Sequence, residues 1–87
     1  MSLALSWAPS GPLGGRVNAA LSEARSIPDF DLRYYFGDGT APEDHPASAG
    51  GANHTFVAAG DYLVGVAAAA NPPGYTVDSD SITVTAA

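Results

Sequence analysis

The sequence has no cysteine and no lysine, and its three basic residues, all arginine, face nine acids. The formal net charge at pH 7 is therefore −6. Because no disulfide can form, stability must come from side-chain packing, with association between copies as a further source. This excess of negative charge repels phosphate backbones and anionic lipids. We therefore expect neither nucleic acid nor a membrane surface among the partners.

Long apolar runs are also lacking. The longest, YLVGVAAAA at residues 62–70, is about half the length of a membrane-spanning helix. The first residues, MSLALSWAPSG, have no basic segment ahead of a continuous apolar stretch, so they do not predict a signal peptide. We expect a soluble protein that begins at Met1.

Apolar side chains take alternate positions in most segments, which is typical of half-buried strands. The inward sets are Leu3, Leu5 and Trp7; Val17, Ala19 and Leu21; Phe30, Leu32, Tyr34 and Phe36; Tyr62, Val64 and Val66; and Val77, Ile82 and Val84. The second set predicts a strand over residues 16–24. A short helix over 18–25 is the alternative there, because Ala and Leu favour helices.

Proline and glycine divide these strands. Residues 40–53, TAPEDHPASAGGAN, have no periodicity and predict a long, mobile loop. A short strand, HTFV, follows at residues 54–57, and NPPGY at 71–75 predicts a turn because proline cannot donate to a strand ladder. Six or seven short strands in 87 residues predict an all-β sandwich, with residues 1–87 as a single domain.

The stretch YYFGDGT contains the most specific motif, in which Asp38 lies between Gly37 and Gly39. The two glycines permit a positive φ, and the carboxylate of Asp38 can accept hydrogen bonds from backbone N–H groups, so the motif predicts a turn. A weak calcium site formed by Asp38, Glu43 and Asp44 is the alternative, since calcium takes several oxygen ligands.

Other chemistry has little support. His45 and His54 lack the paired spacing of a zinc site, so we expect no metal or cofactor there. Ser48, His54 and Asp38 contain the residue types of a nucleophilic triad. However, no nucleophile elbow surrounds Ser48, and so short a chain has little material for a concave site. We therefore expect that the protein is not an enzyme.

Three motifs in order, YYFGDGT, HTF and AAGDYLVGV, resemble the PKD (polycystic kidney disease) domain family. The matching residues are Tyr34, where the family usually has Trp, and Phe36, Gly37, Asp38, Gly39, His54, Thr55, Phe56, Gly60, Tyr62 and Val64. The resemblance implies an immunoglobulin-like sandwich of about seven antiparallel strands without catalytic activity. It also implies that His54 bonds toward the turn. Tyr62 resembles a tyrosine corner, whose phenol bonds backbone upstream.

The small residues of GVAAAAN indicate where a partner could bind. They are either tolerated on an edge strand, or they form a flat surface that a neighbouring subunit contacts. The residues concerned are Ala67, Ala68, Ala69 and Ala70.

We predict a structural protein of a phage virion, which binds capsid or tail subunits as a capsid decoration protein or tail accessory. The alternative is an extracellular PKD spacer, or a module of a larger secreted protein that binds carbohydrate or protein through Tyr35 or Tyr75. Association into a homo-oligomer is compatible with either.

Overall fold

A computed structural model of the protein describes residues 2–22 and 29–87. The strands are β1 (Leu3–Gly11), β2 (Gly14–Leu21), β3 (Asp31–Tyr35), β4 (Glu43–Pro46), β5 (Gly51–Thr55), β6 (Gly60–Ala68) and β7 (Asp80–Ala86). One 3-10 helix, Ala47–Ala49, connects β4 to β5. Among the described residues, no helix is long and apolar enough to cross a membrane.

The strands form two antiparallel sheets. The three-stranded sheet has the order β1-β2-β5, and the four-stranded sheet has the order β4-β3-β6-β7. The chain crosses from the second sheet to the first between β4 and β5, and it returns between β5 and β6. The prediction of an all-β, immunoglobulin-like sandwich of about seven strands is confirmed.

The core lies between the sheets and takes side chains from both. Alternation along each strand directs every second residue inward, so the bulky residues of the sequence meet in one layer. The largest fully buried side chains are Val17, Leu32, Tyr34, Phe36, Phe56, Val64, Val66 and Val84. Burial of each such apolar side chain is worth about 1.5–3 kcal/mol, so this layer holds the sandwich together.

The prediction of one long loop over residues 40–53 is wrong. This segment contains β4, the 3-10 helix and the start of β5. The alternation of β4 is hidden because its inward residue is His45, which packs edge-on against Tyr34, with ring centroids 5.5 Å apart. Its outward residue, Asp44, pairs with Arg33. A strand with polar residues on both faces has no apolar pattern to detect.

Two strand boundaries also differ from the predictions. The strand predicted over 54–57 begins at Gly51 and ends at Thr55, with Phe56 buried just beyond it. Val77 is buried but lies outside any strand, and β7 begins only at Asp80.

The strand predicted over residues 16–24 corresponds to β2 as far as Leu21. Residues 23–24 of that strand lie outside the described ranges, as do residues 23–25 of the alternative helix.

The interpretation of GVAAAAN as an edge strand is wrong. It belongs mainly to β6, which lies between β3 and β7. Ala67 and Ala68 pair with Arg33 and Leu32 of β3. On its other side, the ladder with β7 starts at Val66. Ala67 and Ala68 therefore continue the central strand β6 beyond its ladder with β7, whereas Ala69 and Ala70 follow the strand.

Candidate functional site

The Gly-Asp-Gly motif forms a turn after β3. Gly37 and Gly39 have φ angles of 73° and 84°, in the left-handed region that disfavours side chains. The Asp38 Oδ1 atom accepts hydrogen bonds from the Thr40 backbone N–H at 3.1 Å and from the Thr40 hydroxyl at 2.6 Å. This is an Asx-type turn, in which the acid replaces missing backbone partners.

The second oxygen of Asp38 reaches the other sheet. The His54 Nε2 atom lies 2.7 Å from Asp38 Oδ2, and the two side chains are only 9% and 3% exposed. Because an ionised carboxylate can only accept, Nε2 carries the proton and donates it. Burial alone would raise the pKa of Asp38, but the hydrogen bonds from Thr40 and His54 outweigh it and lower that pKa to about 2. The carboxylate therefore links the turn after β3 to β5.

Aromatic rings extend this link into the core. The His54 ring stacks on Phe36, with centroids 3.9 Å apart, and meets the Phe56 ring edge-on at 4.7 Å. Phe56 in turn stacks on Tyr62 at 4.2 Å. The Tyr62 hydroxyl donates to the carbonyl oxygen of Ala58 at 2.7 Å, which is the geometry of a tyrosine corner. The motif residues thus form one packed column.

The three acids of the calcium hypothesis are engaged by other side chains, and Asp38 and Glu43 lie near the two different ring nitrogens of His54. Glu43 lies 3.0 Å from His45 Nε2 and 3.8 Å from His54 Nδ1. Asp44 points to the opposite face of β4, where both its oxygens bind Arg33 at 2.9 and 3.1 Å. Hydrogen bonds from Arg33 lower the pKa of Asp44. Within residues 2–22 and 29–87, no group of three or more acidic or histidine side chains could hold a metal ion.

The triad considered from the sequence is not assembled. Although Asp38 and His54 meet, the Ser48 hydroxyl donates to Asp29 Oδ2 at 2.8 Å, and the Ser48 backbone N–H donates to Asp29 Oδ1 at 3.1 Å. These hydrogen bonds lower the pKa of Asp29. Ser48 therefore holds the start of the segment that leads into β3.

One buried polar atom has no partner among the described residues, and sequence reasoning did not single it out. It is the hydroxyl of Tyr34, a fully buried side chain whose ring packs against Phe36 and His45. Burial raises the pKa of Tyr34, because the charged form would be poorly solvated there. The apolar alternation that predicts an inward Tyr34 contains no signal for its hydroxyl.

The outer face of the four-stranded sheet, which faces away from the core, carries two large hydrophobic side chains that are exposed to solvent. Tyr35 is 46% exposed there and Leu63 is 65% exposed. Tyr35 pairs with Gly65, and Gly65 pairs with Ser81, so these residues form one row across three strands. A shallow groove of about 440 Å³ follows this row, and we call it the Tyr35 groove. It is lined by Tyr35, Gly65, Val66, Ala67, Ser79, Asp80 and Ser81.

The four alanines of the predicted partner surface are not equivalent. Ala67 lines the Tyr35 groove, whereas Ala68 packs against the core. Ala69 and Ala70 line a second groove of about 430 Å³ that also includes Phe30. Tyr75, the other aromatic considered for binding, lines neither groove. Of the residues that the sequence analysis considered for binding, Ala67 and Tyr35 therefore lie in one groove, and Ala69 and Ala70 lie in another.

A family model described as the PKD domain matches residues 4–85. The chain belongs to the PKD domain family. The match is wider than the motif region and includes all seven strands at least in part. PKD domains are typically non-catalytic, immunoglobulin-like modules, and the chain is accordingly an interaction module by family. No curated protein and no solved structure matches the chain.

Proposed function

We propose that this PKD domain is a structural protein that binds a repeating protein surface, as the capsid decoration protein or tail accessory of a phage virion does. The observation behind the proposal is the outer face of the four-stranded sheet. Its exposed Tyr35 and Leu63 lie beside the small residues Gly65 and Ala67. An apolar centre that is flat enough for close approach, within a polar rim, is the usual anatomy of a protein interface.

On a repeating partner, a small interface is sufficient if copies of the domain are linked, and association into a homo-oligomer would supply that link. A domain of 87 residues offers only a modest contact area, so one contact of this size is weak. When many copies bind a regular array, neighbouring contacts reinforce one another if two binding sites are linked. We propose that the virion is the location of the protein and that capsid or tail subunits are its partner.

The second candidate is an extracellular binding module, because PKD domains are usually extracellular. The feature that favours it is the half-exposed ring of Tyr35 beside the hydroxyl-bearing residues Ser79 and Ser81. Such a groove suits a carbohydrate or a peptide from a larger assembly.

Purified particles test the proposal. Virions produced from the genome that encodes the chain are separated on a density gradient, and an antibody against the chain is used to probe each fraction. We expect the chain in the fractions that contain the major capsid protein. Its presence only in the culture medium, joined to a larger secreted protein, would establish the second candidate instead.

A pair of variants tests the surface. Leu63→Asp places a charge on the outer face, and we expect it to abolish co-sedimentation with particles. Val57→Asp is the matched control, because Val57 is 88% exposed but lies between β5 and β6, outside the outer face. Thermal melts establish that both variants are folded. If Leu63→Asp still binds particles, this face is not the contact surface.

A further inference from the structure

Strand β7 has a free edge that is suited to pairing with another strand. Among the described strands it shares a ladder with β6 alone, so the backbone groups along its other side have no strand partner there. Its sequence, DSITVTA, has one charged residue, Asp80, and neither proline nor glycine. The four residues from Ile82 to Thr85 are all β-branched, which favours extended backbone. An edge that is not protected by charge, proline or a bulge accepts a further strand.

The other three edge strands of the described ranges carry features that hinder pairing. Strand β4 has only four residues, and they include Glu43, Asp44 and Pro46. Strand β5 has only five residues. Strand β1 is longer, but its ladder with β2 changes register between Pro9 and Gly11. Short strands, charge, proline and bulges are the means by which natural sheets prevent edge pairing, so β7 is the least protected edge.

The first part of this edge is the more accessible part. Strand β1 approaches the end of β7, where Trp7 and Pro9 line a small pocket together with Thr85 and Ala86. The residues Asp80–Val84 do not line this pocket. We therefore expect an added strand to lie along Asp80–Val84.

Two copies of β7 complement each other along this part of the edge. An antiparallel pair centred on Ile82 places Ile82 opposite Ile82 of the second copy, Ser81 opposite Thr83, and Asp80 opposite Val84. No acid therefore faces an acid, although each molecule has a net charge of −6. Pairs of hydroxyl-bearing residues and pairs of β-branched residues are favourable across antiparallel strands.

The faces of the two sheets also match in this arrangement. Ser81 and Thr83 are exposed on the outer face, whereas Ile82 is only partly buried against the core. Pairing leaves the hydroxyl residues on the outer face and lets the two Ile82 side chains cover each other. The two four-stranded sheets then form one continuous sheet, and the outer faces that carry Leu63 become one surface.

We propose that β7 binds β7 of a second copy of this chain, as an antiparallel pair about a twofold axis at Ile82. Such a contact is self-complementary, as twofold interfaces are. The inference goes beyond the proposed function and does not depend on it. The dimer supplies the link between copies that strengthens binding to a repeating surface.

The contact is small, so the dimer is weak. We expect a dissociation constant of about 0.1–1 mM, as for a contact at the low end of interface size. Added salt should strengthen the dimer, because it screens the repulsion between two molecules of net charge −6 and the contact contains no ion pair.

Dilution of the ¹⁵N-labelled protein tests the inference. NMR spectra are recorded from about 2 mM to about 0.05 mM, a range that spans the expected dissociation constant. We expect the amide signals of Ser81, Ile82 and Thr83 to shift with concentration, and the rotational correlation time to rise toward that of a dimer.

Paired charges test the register. Ser81→Asp/Thr83→Asp places acid opposite acid twice, and we expect it to weaken the dimer by about tenfold or more. Ser81→Lys/Thr83→Asp places opposite charges there, and it should associate at least as tightly as wild type. Ser6→Asp/Ala8→Asp is the matched control, because it adds two acids to exposed positions of the edge strand β1. At high salt the control should associate like wild type, and thermal melts establish that each variant is folded.

Four results would overturn the inference. A correlation time that stays constant up to 2 mM would show that copies do not pair. Loss of association in the β1 control alone would assign the contact to β1. Equal weakening by the Lys/Asp and Asp/Asp variants would exclude this register. A monomeric protein whose Asp/Asp variant no longer co-sediments with particles would give the edge to the partner protein instead. Co-sedimentation of wild type with particles tests the proposed function separately.

Discussion

Two buried polar side chains of the PKD domain show opposite solutions to the same problem. The side chain of Asp38 is only 3% exposed, yet its carboxylate accepts hydrogen bonds from Thr40 and His54. Tyr34 is fully buried, and its hydroxyl bonds to none of the described residues. A buried polar atom without a partner loses its hydrogen bonds to water and gains none in the protein, which lowers stability. A buried polar atom that is hydrogen-bonded contributes modestly to stability. The two residues should therefore respond differently to mutation.

Tyr34→Phe should stabilise the protein. The substitution removes the unpartnered hydroxyl and keeps the ring in place, so we expect the free energy of unfolding to rise by about 1 kcal/mol. Tyr62→Phe is the control, because it removes a hydroxyl that donates to Ala58, and it should lower the free energy by about 1 kcal/mol. Denaturant titration measures both. A loss of stability in Tyr34→Phe would mean that its hydroxyl has a partner.

The contribution of Asp38 should depend on pH. Its pKa is about 2 in the folded protein, against an ordinary value of 3.8, so the folded state binds this proton less readily than the unfolded state. The stabilisation is therefore present in full above pH 3.8 and is lost as the pH falls through 2.

Asp38→Asn isolates this effect, since the other acids are the same in both proteins. We expect the difference in denaturation midpoint between wild type and variant to be largest above pH 4 and to shrink toward pH 2. A difference that stays constant over this range would show that the charge of Asp38 does not contribute.

At the scale of elements, the turn after β3 depends on two glycines for different reasons. Both have a positive φ, which costs a side chain about 1–2 kcal/mol. A Cβ atom at Gly37 would also lie 2.3 Å from the Leu63 carbonyl oxygen of β6, whereas a Cβ atom at Gly39 would meet nothing within 4 Å. Gly37 therefore permits close packing of the turn on the central strand.

Alanine substitutions separate the two reasons. We expect Gly39→Ala to lower the free energy of unfolding by about 1–2 kcal/mol through backbone strain alone. Gly37→Ala should lower it clearly further, because a backbone oxygen in the middle of a sheet cannot move aside. Chemical denaturation of the two variants makes the comparison. Equal losses would mean that the contact with Leu63 is not limiting.

The strands that the sequence predicts well are those with bulky inward residues, such as β3 and β6. Strand β4 escaped prediction because its inward position is His45, and the start of β5 escaped because Gly51 and Ala52 are small although buried. The turn chemistry of Asp38 was predictable because the flanking glycines act locally. The Tyr35 groove was not, because its row requires the register of three strands, which no single strand determines.

At the scale of the whole molecule, the motif residues and the outer face of the four-stranded sheet have separate roles. The turn, His54 and the aromatic column join the two sheets, while the outer face of the four-stranded sheet is the surface that we propose for the partner. The calcium hypothesis assigns Asp38 a different role, as a ligand of an ion. Calcium that binds the folded protein alone must raise its melting temperature, so a thermal melt separates the two roles.

Thermal unfolding of wild type and Asp38→Asn, each in millimolar calcium and in EDTA, is therefore the decisive measurement. We expect Asp38→Asn to melt at a lower temperature than wild type under both conditions, and calcium to shift neither protein. A rise in the wild-type melting temperature with calcium, absent in Asp38→Asn, would contradict the conclusion that this carboxylate is committed to the fold.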